Sequence, residues 1–311
     1  MYRIRYQARI CLLGCLALLI PSITVNAAEK LLVIASFSIL GDLTRQIGGE
    51  QLRVHTLVEA GNDAHVYQPT PADARTLSQA RLVIVNGLGF EGWIDRLIKS
   101  AAYRGKVIVA SQGITPLHST PSSGTSSSHT DHAQTDNLDP HAWQDLSNAR
   151  RYVDNITSAL CDIDPANKAF FQTNATRLRE EINTLDRQIR ATFGSIPAER
   201  RKVVSSHNAF NYFGHAYGIR FIAPVGMNTD AEPSAANVGA IIRQICQEKI
   251  KALFVENITD PRLLERISRE SGARLGGTLY SDSLAKPGLP ADSYLGMVSH
   301  NAKTLASALT D

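Results

Sequence analysis

The chain has 311 residues, with 32 Lys+Arg against 29 Asp+Glu and a formal net charge of +3. So small an excess argues against a nucleic-acid binder working through a basic surface, which needs clustered Lys and Arg. Charged residues at 20% and hydrophobic residues at 43% exclude a disordered chain, and the length fits two domains.

In chain order, Arg3, Arg5 and Arg9 precede an apolar core from Ile10 to Ile20, which Pro21 ends. Val25 and Ala27 stand at −3 and −1 of a cleavage point near Ala27 or Ala28. This is the pattern of a secretory signal peptide over residues 1–28. The core is too short for a membrane anchor, which needs about 20 apolar residues. Leu12-Leu13-Gly14-Cys15 resembles a lipobox, but Cys15 sits in mid-core with LALLI still to follow. The expectation is a soluble protein exported to the periplasm. The three arginines account for the whole positive excess, so the exported chain is neutral. Cys161 and Cys246 then remain in an oxidising compartment. Their spacing matches no zinc-thiolate motif, and they are expected as buried small hydrophobes rather than as a disulfide.

Short apolar runs then alternate with amphipathic segments. LLVIAS from Leu31, RVHTLV from Arg53, RLVIVN from Arg81 and KVIVAS from Lys106 read as strands. Helices lie between them, one starting at Thr70-Pro71. A second series comprises KVVSS from Lys202, IRFIA from Ile219, KALFVE from Lys251 and ARLGGTLY from Ala273, with helices over 234–248 and 261–271. Two such blocks indicate an α/β protein with two largely parallel sheets. The expected domains are 29–163 and 195–311. Between them, 164–194 reads as one long helix, with Asp164 as N-cap, Pro165 at the first position, and Leu178, Ile182, Leu185, Ile189 and Phe193 at helical spacing. It is expected to join the domains as a stiff strut. Its apolar repeat is too short for a coiled-coil dimer, so a monomer is expected. The Ser/Thr-rich stretch 118–136 interrupts the first block and carries His118, His129 and His132, an auxiliary loop able to collect divalent metal or merely a solvated insertion.

Four further residues form the informative set. His65, His207 and Asp282 each follow a predicted strand, where open α/β sheets build their sites, and His141 precedes a helix. Two come from each block, so they can meet in a cleft between the domains. Three imidazoles and a carboxylate suit Zn²⁺ in four-coordinate geometry. Four protein donors close the site to a catalytic water, which suits holding a metal. Taken singly, each histidine can equally be a solvated loop residue, and the aspartate a helix cap. HExxH, CxxC, GxSxG, a phosphate-binding loop and a dinucleotide fingerprint are all missing from the sequence. A secreted zinc hydrolase is the alternative from another class, with Asp282 as base and Glu256 assisting; a surface adhesin anchored at Cys15 is a third.

At these residues the sequence resembles the metal-specific solute-binding proteins of ABC transporters, the cluster A-I or ZnuA-like family. GNDAHVYQPTPADARTLSQARLVIVNGLGFEGWIDRLI, DPHAWQD, SSHNAFNYFGHAYGI and VENITDPRLLERISRESGARLGGTLYSDSL resemble its successive ligand regions, in order and spacing. The resemblance implies two α/β domains joined by a rigid helix, with metal held between them by His65, His141, His207 and Asp282. It also implies a non-enzyme that delivers the metal to an inner-membrane ABC permease. Manganese-type members carry Glu at the third position. His207 there points to Zn²⁺ over Mn²⁺, since manganese prefers oxygen-rich sites.

Overall fold

The computed structural model describes residues 30–118, 138–230 and 232–310. The signal segment, His129 and His132 lie outside the described residues.

Strand β1 (Leu31–Phe37) is buried almost throughout because it lies inside a sheet ordered β2-β1-β3-β4, all parallel, with β2 Leu52–Val58, β3 Leu82–Val85 and β4 Lys106–Val109. Interior parallel strands are covered on both faces and therefore read as continuous apolar runs. Edge strand β4 is correspondingly more exposed. Helices α1 (Ser38–Gly48), α2 (Pro71–Ser78) and α3 (Ile94–Ser100) connect the strands. Thr70 and Asp73 form a reciprocal capping box at the start of α2, satisfying amides the helix leaves unpaired.

The second sheet repeats the first: order β6-β5-β7-β8, again parallel, with β5 Lys202–Ser205, β6 Arg220–Ile222, β7 Ala252–Glu256 and β8 Arg274–Leu279. Helices α6 (Asn211–Tyr217), α7 (Ala235–Glu248) and α8 (Arg262–Ser271) belong to this half, and α9 (Tyr294–Thr310) closes it. In both sheets the strand order reverses beside the first strand of the set. Such switch points open crevices at the carboxyl ends of the strands. The fold is the expected pair of parallel-sheet α/β units with a long helix between them.

That helix differs from expectation at its start. Pro165–Asn167 forms a 3₁₀ turn, and the α-helix α5 runs Lys168–Gly194 after α4 (Leu146–Ile163). Asp164 makes no capping bond to backbone; its carboxylate accepts from the Asn167 side chain at 2.7 Å instead. Twenty-seven residues give a rod of about 40 Å. It is no bare strut. Phe171, Ala175, Leu178, Ile182, Ile189 and Phe193 are buried against α1 and α4 on one side and α6 and α9 on the other. One large core therefore runs through both halves, and a smaller one sits under α7 and α8.

The cysteines are free, but not buried as expected: Cys161 is half-buried beside the Lys168 carbonyl, and Cys246 is exposed on α7. Both helices turn their apolar stripes elsewhere, toward Ile156 and Leu160 in α4 and Ile241 and Ile245 in α7.

Phe193 is fully buried and meets Phe213 edge-on at 5.9 Å. Phe193→Ala removes a ring from the junction of α5 and α6. It is expected to cost about 3–5 kcal/mol of unfolding free energy, read from urea titration.

Candidate metal centre

His65 lies beyond β2, His141 beyond β4, His207 just past β5 and Asp282 just past β8. The structure brings all four together: one donor atom from each lies within 4.8 Å of the others. His65 follows a turn at Gly61, whose φ of +84° favours glycine. The Asp63 carboxylate accepts the His65 amide at 2.8 Å, and Trp93 donates its indole N–H to the Ala64 carbonyl at 2.8 Å. Phe90 stands edge-on to the His65 ring at 4.7 Å.

His141 is set by a matching device. Asp139 Oδ1 accepts the His141 amide at 2.9 Å and lies 2.7 Å from ring Nδ1. Asn211 holds the other Asp139 oxygen at 2.8 Å, and Asn86 donates to the Pro140 carbonyl at 2.9 Å. On the second sheet, Glu256 at the end of β7 takes the His207 amide at 2.9 Å and places its other oxygen 2.6 Å from His207 Nδ1. The Asp139 carboxylate on His141 Nδ1 holds a proton there and leaves Nε2 facing the pocket, whereas the Glu256 contact with His207 Nδ1 is an ion-pair separation without hydrogen-bond alignment.

All three Nε2 atoms face Asp282, at 3.2 Å from His65, 3.5 Å from His141 and 3.1 Å from His207. These are ion-pair separations without hydrogen-bond alignment, so the three Nε2 atoms and both Asp282 oxygens stay unpartnered. The side chains of His141, His207 and Asp282 are fully buried, and that of His65 is 4% exposed. Five buried polar atoms converging without partners are costly in a folded protein unless something binds them. The donor set, three imidazoles and one carboxylate, fits a divalent transition metal.

Burial alone would lower the pKa of His141, but the Asp282 and Asp139 carboxylates outweigh it and raise the value to about 9. Burial likewise opposes the charge on His207, and Glu256 with Asp282 raises it well above the ordinary histidine range. Asp282 resists a burial effect in the other direction: His141 and His207 hold it well below the usual carboxylate range. The carboxylates around the two imidazoles thus favour their protonated forms.

His118 is exposed and bridges Leu138, apart from the cluster. His55, His215 and His300 also lie outside it. Asp139, Asp63 and the backing role of Glu256 were missed from the sequence. Two carried a signal: Asp stands two residues before His in both Asp63-Ala64-His65 and Asp139-Pro140-His141. The hydrolase geometry is not present. Glu256 lies on the far edge of the His207 ring, and both Asp282 oxygens are turned to the imidazoles rather than left to activate water.

Two parallel-sheet halves, pinned along one helix and closing four metal-type donors at their strand ends, define a substrate-binding protein that carries its metal and does not transform it. Residues 33–308 match the family described as ZnuA, zinc-uptake complex component A periplasmic. The chain is 32% identical over 304 residues to the manganese ABC transporter substrate-binding lipoprotein PsaA of Streptococcus pneumoniae, covering 96% of this chain and 95% of that one. Among solved structures it is similar to the periplasmic zinc binding protein TroA from Treponema pallidum, with a TM-score of 0.81, 28% identity, and coverage of 90% and 99%. It is also similar to a Mn-bound periplasmic metal binding protein from candidatus liberibacter asiaticus, with a TM-score of 0.77, 31% identity, and coverage of 90% and 100%. The chain belongs to this ZnuA family of metal-binding, substrate-binding components of ABC transporters, and it is not an enzyme.

The raised pKa of His141 has a stability consequence. Folding favours its protonated form, so that contribution is complete below the ordinary 6.5 and lost as pH rises through about 9. The thermal midpoint of metal-stripped protein should therefore fall between about pH 7 and 9, and Asp139→Asn should flatten that slope. A midpoint that is level in the unsubstituted protein would contradict the assignment.

Proposed function

We propose that the protein captures Zn²⁺ in the periplasm and delivers it to an ABC permease of the inner membrane, with His65, His141, His207 and Asp282 as the ligands. The observation that carries the reading is the convergence of three buried, unpartnered imidazole nitrogens on one buried carboxylate. Zinc accepts four N/O donors in a closed set, and nitrogen-rich sites bind Zn²⁺ more tightly than Mn²⁺. Membership of an ABC-transporter family supplies the permease.

Manganese is the second reading. PsaA is named for manganese, and one similar structure holds it. Both Asp282 oxygens also face the imidazoles, which allows a fifth donor atom to a larger ion. Competition between Zn²⁺ and Mn²⁺ on metal-stripped protein decides between them. Zinc is expected to displace manganese fully at equal concentration, and retention of manganese would reverse the choice. In the same titration, His207→Ala should lose more affinity than any change at His118, His129 or His132.

Metal must displace protons from His141 and His207. The sequence alone sets the pH limit at the ordinary imidazole range near 6.5. The carboxylates around His141 move it up to about 9. Calorimetry at about pH 7.5 in buffers of different ionisation enthalpy should therefore report proton release on binding, with affinity still rising toward pH 9. Buffer-independent heats would refute this.

Among the described residues no helix is long and apolar enough to cross a membrane. We read residues 1–28 as a cleaved signal, whereas PsaA is named a lipoprotein. Mass spectrometry of the mature N-terminus is expected to find Ala28 or Glu29. A lipidated Cys15 would make this chain membrane-anchored.

A further inference from the structure

The Asp282 carboxylate has no hydrogen-bond partner of its own, so its aim must come from the backbone that carries it. The Ser281 carbonyl, in the same peptide plane as the Asp282 amide, accepts two side-chain hydrogen bonds: from Trp143 Nε1 at 3.0 Å and from Gln144 Nε2 at 2.8 Å. Both donors come from the segment that carries His141, 137 and 138 residues away in sequence. On the other flank, Ser283 Oγ accepts the Gly61 amide at 2.8 Å, and Ser38 Oγ accepts the Leu284 amide at 3.0 Å. Asp282 is strung between two tethers, each anchored in the first half of the chain. A peptide unit is planar, so two donors on its oxygen stop it rocking and fix the direction in which the next side chain leaves.

Trp143 has other duties. Its ring packs against Phe37, Phe90 and His141, and its carbonyl accepts from Tyr294 at 2.6 Å. Gln144 has none that favours an amide. It is fully buried, its side chain's only hydrogen bond among the described residues is the one to Ser281, and its Oε1 has no partner. Because the Ser281 oxygen accepts, the amide must present its NH₂ to it, leaving Oε1 stranded. An unpartnered buried carbonyl destabilises a fold, so an apolar side chain of the same length would serve stability better. We propose that Gln144 is a positioning residue for metal binding: it locks the Ser281–Asp282 peptide so that the carboxylate meets the three imidazoles. The inference rests on the reading of Asp282 as a ligand.

Gln144→Met keeps the length and removes both the donor and the stranded oxygen. The metal-free variant is expected to melt at or above the temperature of the unsubstituted protein. Its Zn²⁺ affinity should fall about tenfold, in the range typical for groups that orient ligands. With Co²⁺ as probe, its visible d–d bands should weaken and shift as the site leaves tetrahedral geometry. Unchanged affinity with an unchanged Co²⁺ spectrum would overturn the proposal. So would a lowered melting temperature or a failure to fold, since either makes Gln144 structural. Asp282→Ala separates the two levels: if it retains zinc normally, the ligand reading itself fails. If it loses zinc while Gln144→Met keeps affinity and spectrum, only the positioning role falls.

Discussion

Everything in this protein is arranged around one costly condition, a set of buried lone pairs pointed at each other with no partner of their own. Carboxylate oxygens of Asp282 face three imidazole nitrogens inside a pocket almost closed to water. Carboxylates around His141 and His207 favour the charged imidazoles, which offsets part of that cost. A site of this kind cannot be assembled loosely, because a charge left uncompensated in a dry pocket is far more destabilising than one at the surface.

The fold meets that demand by anchoring each of the four converging residues through its backbone. Asp63 and Asp139 hold the amides of the histidines two residues on, and Glu256 holds the amide of His207. The segment carrying Asp282 belongs to the second half of the chain by sequence, yet it is fastened to Ser38, Gly61, Trp143 and Gln144 of the first. Three of the four residues are thereby tied to one half, and His207 completes the set from the other. The long helix α5, buried against elements of both halves, keeps those two partners in register.

Much of this was legible in the sequence, and for physical reasons. Continuous apolar runs such as LLVIAS report parallel strands covered on both faces; His65, His207 and Asp282 stood out because chemistry gathers at strand ends, and the family resemblance added His141, which precedes a helix. Their meeting could not be read from spacing, since His65 and Asp282 are joined only by tertiary packing. Asp139 and Asp63 left a local trace in the repeated Asp-x-His pattern, whereas Gln144 left none: nothing in a sequence says which carbonyl a buried amide will reach. The start of α5 was misjudged because Asp164-Pro165 fits a 3₁₀ turn as well as an α-helical one. The cysteines were misjudged because helical periodicity locates a stripe without stating which residues fall just outside it.

One contact bears on how the two walls of the pocket are joined. Asp63 uses one oxygen to hold the His65 amide and the other to accept the Thr229 hydroxyl at 2.5 Å, from a segment of the second half. That segment is joined to His207 as well, through the pairing of His207 with Val225 and the bond from the Asn208 amide to the Gly226 carbonyl at 3.0 Å. A single stretch of chain therefore connects the neighbourhoods of His65 and His207 on opposite walls. It is a mechanical link between the two walls: drawing the His65 loop away from the His207 loop breaks the bond from Thr229 to Asp63. In a carrier that must hold its cargo in transit and surrender it on arrival, such a link works as a latch between the walls.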